Sequence, residues 1–210
     1  MCIRDRNKTI YFLRHGETDL NRAHIVQGSG VDSSLNELGR QQAGHFYDYY
    51  KNQNFDLVIC STLKRSYQTV LPFVDKAIPL LRFAEINEMN WGVHEGKSST
   101  PEMKAAYSEM IGQWNLSNFD ARLEGGESAR EMADRIKSFL DQLKQMPQKK
   151  ILVCSHGRAL RCVMTLLKGQ HLREMESYKH SNTGLFLVEQ EGPKFKVLLE
   201  NDTRHLDGTK

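Results

Sequence analysis

Two arginines, two histidines and a small set of carboxylates stand at positions where they could handle a phosphate. Arg14-His15-Gly16 follows a short apolar run, Arg65 lies a few residues past a second run, and Ser155-His156-Gly157 ends a third. A phosphoryl group in transfer spreads negative charge over three oxygens and needs fixed cationic donors around an in-line nucleophile. Arginine suits that task because its planar fork gives two parallel hydrogen bonds and stays charged. A neutral imidazole supplies the nucleophile and forms a phosphohistidine, and a second histidine, held protonated by the arriving dianion, donates to the same oxygens. The leaving oxygen also needs a proton. Glu85, Glu88 and Glu95 all fall in the segment EINEMNWGVHEG. A carboxyl beside a dianion is shifted toward neutrality, as a general acid requires, and spacing does not choose among the three.

Positioning these groups requires strands that end together. Thr9 to Leu13 (TIYFL), Asp56 to Cys60 (DLVIC) and Lys150 to Cys154 (KILVC) read as buried strands, each running directly into the polar residues above. Between them the apolar spacing becomes helical. One face carries Leu63, Tyr67, Val70, Leu71 and Val74, another Met132, Ile136, Phe139, Leu140 and Leu143, and a third Leu160, Val163, Met164 and Leu167. An earlier helix over about 36–53 places Ala43, Phe46 and Tyr50 on one side. Strands alternating with helices predict an α/β sandwich around a largely parallel sheet, whose ligands bind beyond the carboxyl ends of the strands. Residues 184–190 and 195–200 predict a strand pair with a tight turn between them. Residues 87–127, rich in Gly, Ser, Asn and charge around a few helical turns, predict an insertion or lid over the active face, with Trp91 and Trp114 inside it. Gly125-Gly126-Glu127-Ser128 predicts a turn into the next helix, with Ser128 and Glu131 in capping positions.

Composition narrows the class without naming a partner. With 29 basic and 26 acidic residues among 210, the net charge of +3 gives no nucleic-acid or membrane surface. Met1 to Arg6 (MCIRDR) matches a translated sequencing adapter and is set aside, leaving one domain over 7–210. Cys60, Cys154 and Cys162 sit in apolar or helical stretches and predict buried free thiols in a reducing, cytoplasmic compartment. No apolar run approaches the ~18 residues of a membrane span. The scattered histidines form no ligand cluster, so no metal and no cofactor are expected.

The motifs, taken together, resemble a known family. RHGET at Arg14 to Thr18, with Asn21 and Gln27-Gly28 after it, is similar to the opening signature of the histidine phosphatase (phosphoglycerate-mutase-like) superfamily. Residues 61–69 (STLKRSYQT) resemble its second phosphate-pocket segment, Gly125 to Ser128 its GGES turn and Ser155-His156-Gly157 its second-histidine motif. Asn182 and the closing segment 201–206 fit the same pattern, so the resemblance spans about 9–206. It implies a three-layer α/β/α sandwich with a mostly parallel central sheet. It further implies His15 as phosphoryl acceptor, Arg14, Arg65 and His156 as the rest of the pocket, and Glu88 as proton donor. Asn21, Gln27, Gly28 and Gly157 would border the phosphate and substrate. The expected activity is metal-independent hydrolysis of small phosphorylated metabolites by a monomer or homodimer. Two alternatives stand beside it, a cofactor-dependent phosphoglycerate mutase and a non-catalytic phosphate-binding module. The absence of an Arg-Arg pair around Gln113-Trp114-Asn115 favours the phosphatase over the mutase.

Overall fold

The computed structural model describes residues 7–207, so the adapter-like leader 1–6 lies outside the described residues. Among the described residues, six strands form one sheet: β1 (Lys8–Arg14), β2 (Leu57–Ser61), β3 (Leu80–Phe83), β4 (Lys150–Ser155), β5 (Leu185–Glu191) and β6 (Lys194–Asp202). Their spatial order is β3-β2-β4-β1-β5-β6. The first four run parallel, and β5 joins β1 antiparallel and leads to β6 through a turn at Gly192, whose φ is +59°. Glycine, with no β-carbon, takes that φ at no steric cost. The result is the mostly parallel sheet expected from the alternation of strands and helices.

Among the described residues, six α-helices accompany the sheet: α1 (Asp19–Arg22), α2 (Glu37–Tyr50), α3 (Lys64–Val74), α4 (Pro101–Asn115), α5 (Ala129–Gln145) and α6 (Gly157–Leu167). Strand alternation sorts them into layers. Ile10, Phe12, Ile59 and Val153 point into a larger core shared with α4, α5 and α6. Tyr11, Leu13, Cys60 and Cys154 point the other way, onto Phe46 and Tyr50 of α2 and Val70 and Phe73 of α3. The three cysteines are buried and unpaired, as expected. Ser128 caps α5 in a reciprocal capping box with Glu131, also as expected.

Three features depart from the sequence reading in detail. On α3 the inward residue of the last turn is Phe73 rather than Leu71. Strand β3 had no sequence signal, because it is a four-residue edge strand whose two middle residues are exposed and whose ends are only half-buried. The segment expected to cover the active face contains the 15-residue α4 and sends Met89, Trp91, Met110, Trp114, Phe119 and Leu123 into the larger core. Its amphipathic character was hidden by the polar residues around those few anchors. Among the described residues, no helix is long and apolar enough to cross a membrane.

Candidate active site

Strands β1, β4 and β2 are adjacent and parallel, with Arg14 opposite Ser155 and Cys60 opposite Cys154 in register. Their carboxyl ends therefore deliver Arg14-His15, Ser155-His156 and the start of α3 to one place. The turn after β1 is locked by backbone contact. A β-carbon on Gly16 would lie 2.5 Å from the Gly39 carbonyl oxygen, so α2 abuts this turn with no room for a side chain. Thr69 of α3 accepts from the Gly16 N–H at 3.0 Å, and the Asn182 amide donates to the His15 carbonyl at 3.0 Å.

His15 is 3% exposed, and its Nδ1 lies 2.7 Å from the Gly16 carbonyl oxygen. A carbonyl only accepts, so the proton sits on Nδ1 and Nε2 keeps its lone pair. Burial, followed by the Arg65 and Arg14 guanidiniums, holds the imidazole well below its ordinary titration range. The ring is therefore neutral and nucleophilic at physiological pH.

His156 lies with its ring centre 5.1 Å from that of His15. Its Nδ1 accepts from Arg65 Nε at 3.2 Å, which places its proton on Nε2, 2.7 Å from Ser61 Oγ. Ser61 in turn meets Ser66 Oγ at 2.7 Å, and Ser66 donates to the Leu63 carbonyl at 3.0 Å, so the chain of donors and acceptors closes. Burial and then Arg65 push His156 well below its usual range as well. The protonated donor expected from the sequence thus requires the phosphate dianion to supply the missing negative charge.

Arg65 is 1% exposed and anchors the following loop as well as His156: Nη1 donates to the Val31 carbonyl at 2.6 Å and Nη2 to the Gly28 carbonyl at 3.1 Å. Gly28 therefore holds Arg65 with its backbone rather than lining the cleft. Arg14 donates to the His180 carbonyl at 3.1 Å, while its buried Nε finds no protein partner. Burial lowers its pKa to about 10, which leaves it charged.

Glu88 is 8% exposed and sits at the amino end of α6. Its Oε1 accepts from the N–H groups of Met89 (2.9 Å) and Ala159 (3.1 Å), and its Oε2 from that of Arg158 (3.1 Å). Of the three carboxylates the sequence left open, this one lines the cleft with His15. Glu85 instead meets Gln142 at the surface, and Glu95 accepts from the Trp91 N–H at 2.8 Å.

The cleft measures about 280 Å³ and gathers Arg14, His15, Asn21, Gln27, Arg65 and Glu88 with Gly157. Asn21 and Gln27 meet at Thr18, whose Oγ accepts from the Asn21 N–H at 3.1 Å and from Gln27 Nε2 at 2.8 Å. Among the described residues, no cluster of His, Cys, Asp or Glu could hold a metal ion.

Of the residues now seen in the cleft, Arg158 and Arg161 were read only as charge near its mouth, and His180, Tyr107 and Glu176 were given no role from the sequence. His180 lines the cleft and packs on Gly157, where an added β-carbon would lie 2.7 Å from its imidazole. Burial and the neighbouring arginines lower His180 to about 3. Arg158, Arg161, Tyr107 and Glu176 also line the cleft. The Arg158 guanidinium stands over the rings of Trp91, Trp114 and Tyr107, bonds the Tyr107 hydroxyl and pairs with Glu176, which also pairs with Arg161. Outside the cleft, Arg135 of α5 donates to Glu127 Oε1 at 2.6 Å and Oε2 at 2.9 Å. Its remaining donors reach the carbonyls of Glu85 (2.6 Å), Asn87 (2.9 Å) and Glu88 (3.4 Å). Arg135 carried no signal of its own because it reads as one more charge on the polar face of a helix.

Residues 10–203 match the sequence model of the histidine phosphatase superfamily (branch 1), and the chain belongs to that family. It is 32% identical over 208 residues to a Yersinia pestis protein named "Probable phosphoglycerate mutase GpmB", with 94% of each chain covered. It is 28% identical over 199 residues to "Putative phosphoserine phosphatase 2" of Hydrogenobacter thermophilus, covering 94% of this chain and 97% of that one. The solved alpha-ribazole phosphatase of Shigella flexneri superposes with a TM-score of 0.81 at 23% identity, over 93% of this chain and 96% of that one, which shows the shared fold.

Proposed function

We propose that the protein is a phosphomonoester hydrolase working through a phosphohistidine at His15. The observation that carries this is the state of that side chain, a buried neutral imidazole with Nδ1–H fixed on Gly16, lining the cleft with Arg14 and Arg65 and with the His156 ring centre 5.1 Å away. Nε2 attacks phosphorus as the ester P–O bond breaks, and Glu88 gives its proton to the departing alkoxide. Water then attacks the phosphohistidine, losing a proton to Glu88, so that inorganic phosphate leaves and both side chains return to their starting states. Arg14 and Arg65 neutralise the oxygens, joined by His156 once the dianion has raised its proton affinity. Arg135 and Glu127 act as positioning residues, holding the backbone of 85–88 that presents Glu88.

The printed names of the relatives divide between mutase and phosphatase. The absence of an Arg-Arg pair around Gln113-Trp114-Asn115 supports hydrolysis on this reading. Small phosphorylated metabolites are the substrates on this reading, and no metal takes part. In this account the enzyme acts as a monomer or a homodimer. The free buried thiols support a cytoplasmic setting.

The test is phosphate release from para-nitrophenyl phosphate by the wild type and His15→Ala, in the presence of a chelator, followed by mass spectrometry of acid-labile phosphate on quenched enzyme. His15-dependent release and a labile adduct of one phosphate are expected. Full activity in His15→Ala ends the proposal, and isomerisation of 3-phosphoglycerate after priming with a bisphosphate returns the mutase.

A further inference from the structure

The turn that carries the nucleophile is gripped by residues 180–184, which belong to no helix and precede β5. The Thr183 N–H donates to the Arg14 carbonyl at 3.0 Å and reaches the His15 carbonyl at 3.4 Å, and the Asn182 amide donates to the same His15 oxygen at 3.0 Å. In return the Arg14 N–H donates to the Gly184 carbonyl at 3.2 Å, and its guanidinium to that of His180 at 3.1 Å. Arg14 and His15 therefore keep their places only while this stretch keeps its shape.

That shape rests on a backbone conformation that threonine resists. Thr183 is buried at φ +51°, in the left-handed region, where a β-branched residue is a true outlier. Of the non-glycine residues at positive φ among those described, it alone is β-branched and it alone is buried. Strain of this kind persists only where the surroundings over-determine it, and it collects at functional sites.

One neighbour acts on Thr183 by chemistry rather than by packing. His205 Nε2 meets the Thr183 hydroxyl at 3.0 Å, both side chains being buried. The His205 ring stands edge-on to Phe46, 5.2 Å away at 89°, yet its Nδ1 is buried with no hydrogen-bond partner. A phenyl ring would fill the same space without an unpaired polar atom, so packing alone does not account for an imidazole here. Burial lowers His205 to about 4, which keeps the ring neutral at physiological pH.

Resting on the phosphohistidine reading, we infer that His205 is a positioning residue for the nucleophile. Through the Thr183 hydroxyl it holds Thr183 in the left-handed conformation in which residues 180–184 clamp Arg14 and His15. Without that bond Thr183 relaxes, its N–H leaves the two carbonyls, and His15 loses its in-line aim at phosphorus. Arg65 and His156 are anchored elsewhere and still bind phosphate. The loss therefore falls on kcat and spares KM.

Three substitutions separate this role from a merely structural one. His205→Phe keeps a ring against Phe46 and removes the Nε2 bond, His205→Gln returns a nitrogen donor, and Thr183→Gly takes φ +51° with no help from His205. Each is assayed for para-nitrophenyl phosphate turnover, and calorimetry measures orthovanadate and inorganic phosphate binding. Vanadate in its five-coordinate form needs His15 in line, whereas phosphate needs only the cationic pocket. His205→Phe should lower kcat and vanadate affinity about tenfold, short of the roughly hundredfold that a ~1 Å displacement costs, with KM and phosphate affinity within about twofold. His205→Gln should recover most of the loss. In the Thr183→Gly background, adding His205→Phe should change both quantities by less than about twofold, because the glycine needs no restraint. An equal loss in both backgrounds, or no loss in His205→Phe, overturns the inference. His15-dependent turnover with no His205 effect removes the inference alone. The vanadate pattern without turnover in the wild type keeps the inference and removes the phosphatase reading.

Discussion

Arg135→Met tests whether Glu88 is placed by the clamp behind it. Arg135 and Glu127 are 21% and 15% exposed as side chains, and the guanidinium spends its donors on one carboxylate and three carbonyls of the acid loop. Removing one partner of a fully buried ion pair costs about 3–5 kcal/mol. Here water still reaches both side chains, so about 2–3 kcal/mol is expected, which lowers Tm by about 5–10 °C in a chain of this size. The catalytic effect should be larger in proportion. Displacing a reacting group by ~1 Å costs about a hundredfold in rate. The loss should fall on kcat for an alkyl phosphate, whose leaving oxygen needs the Glu88 proton, and should be only a few-fold for para-nitrophenyl phosphate, whose anion leaves readily. Arg135→Lys should recover part of the stability and little of the rate, because an ammonium cannot reproduce the fork. Steady-state kinetics on both substrates and thermal melts decide the matter. If Tm falls as stated while kcat on the alkyl phosphate is unchanged, the N–H groups of Met89, Arg158 and Ala159 hold Glu88 unaided, and the clamp argument is refuted.

Other perturbations follow from the same geometry. Gly157→Ala should lower kcat/KM and cost about 1–3 kcal/mol, since its β-carbon meets His180 at 2.7 Å; melts matching the wild type would show that His180 yields freely. Arg65→Lys should reduce kcat/KM strongly, because lysine cannot hold His156 and the Gly28 and Val31 carbonyls while serving phosphate; a change under threefold would contradict this. Acid should destabilise the fold through His15 and His156. Their folded pKa values are depressed, so below about 6.5 the unfolded chain binds protons that the folded chain refuses, and stability falls with pH. Each contributes a loss of ~1.4 kcal/mol by pH 5.5, and His156→Gln should flatten the denaturation profile between pH 7 and 5. A slope identical to the wild type's would show that His156 is already charged in the folded chain.

What the sequence determined by itself was the frame and the ends of its strands. Continuous apolar runs at 9–13, 56–60 and 150–154 admit little but buried strands, and the helical spacing of Met132 to Leu143 admits one inward face. These local signals survive because burial acts on every residue of the run. The residues of the proposed site were legible for the same reason, since Arg14, His15 and His156 stand at strand ends and Arg65 follows one within a turn. Glu88 was different. Its segment was readable, but Glu85 and Glu95 stood beside it, and the amino end of α6, seventy residues away in the chain, distinguishes it. Tertiary structure alone decided that Arg135 grips the acid loop, that Glu176 pairs with Arg158 and Arg161, and that Trp91 and Tyr107 stand against Arg158. A charge on a helix face or an aromatic in a polar stretch has no partner until the chain closes around it. Those partners come from contacts between segments that the sequence keeps far apart.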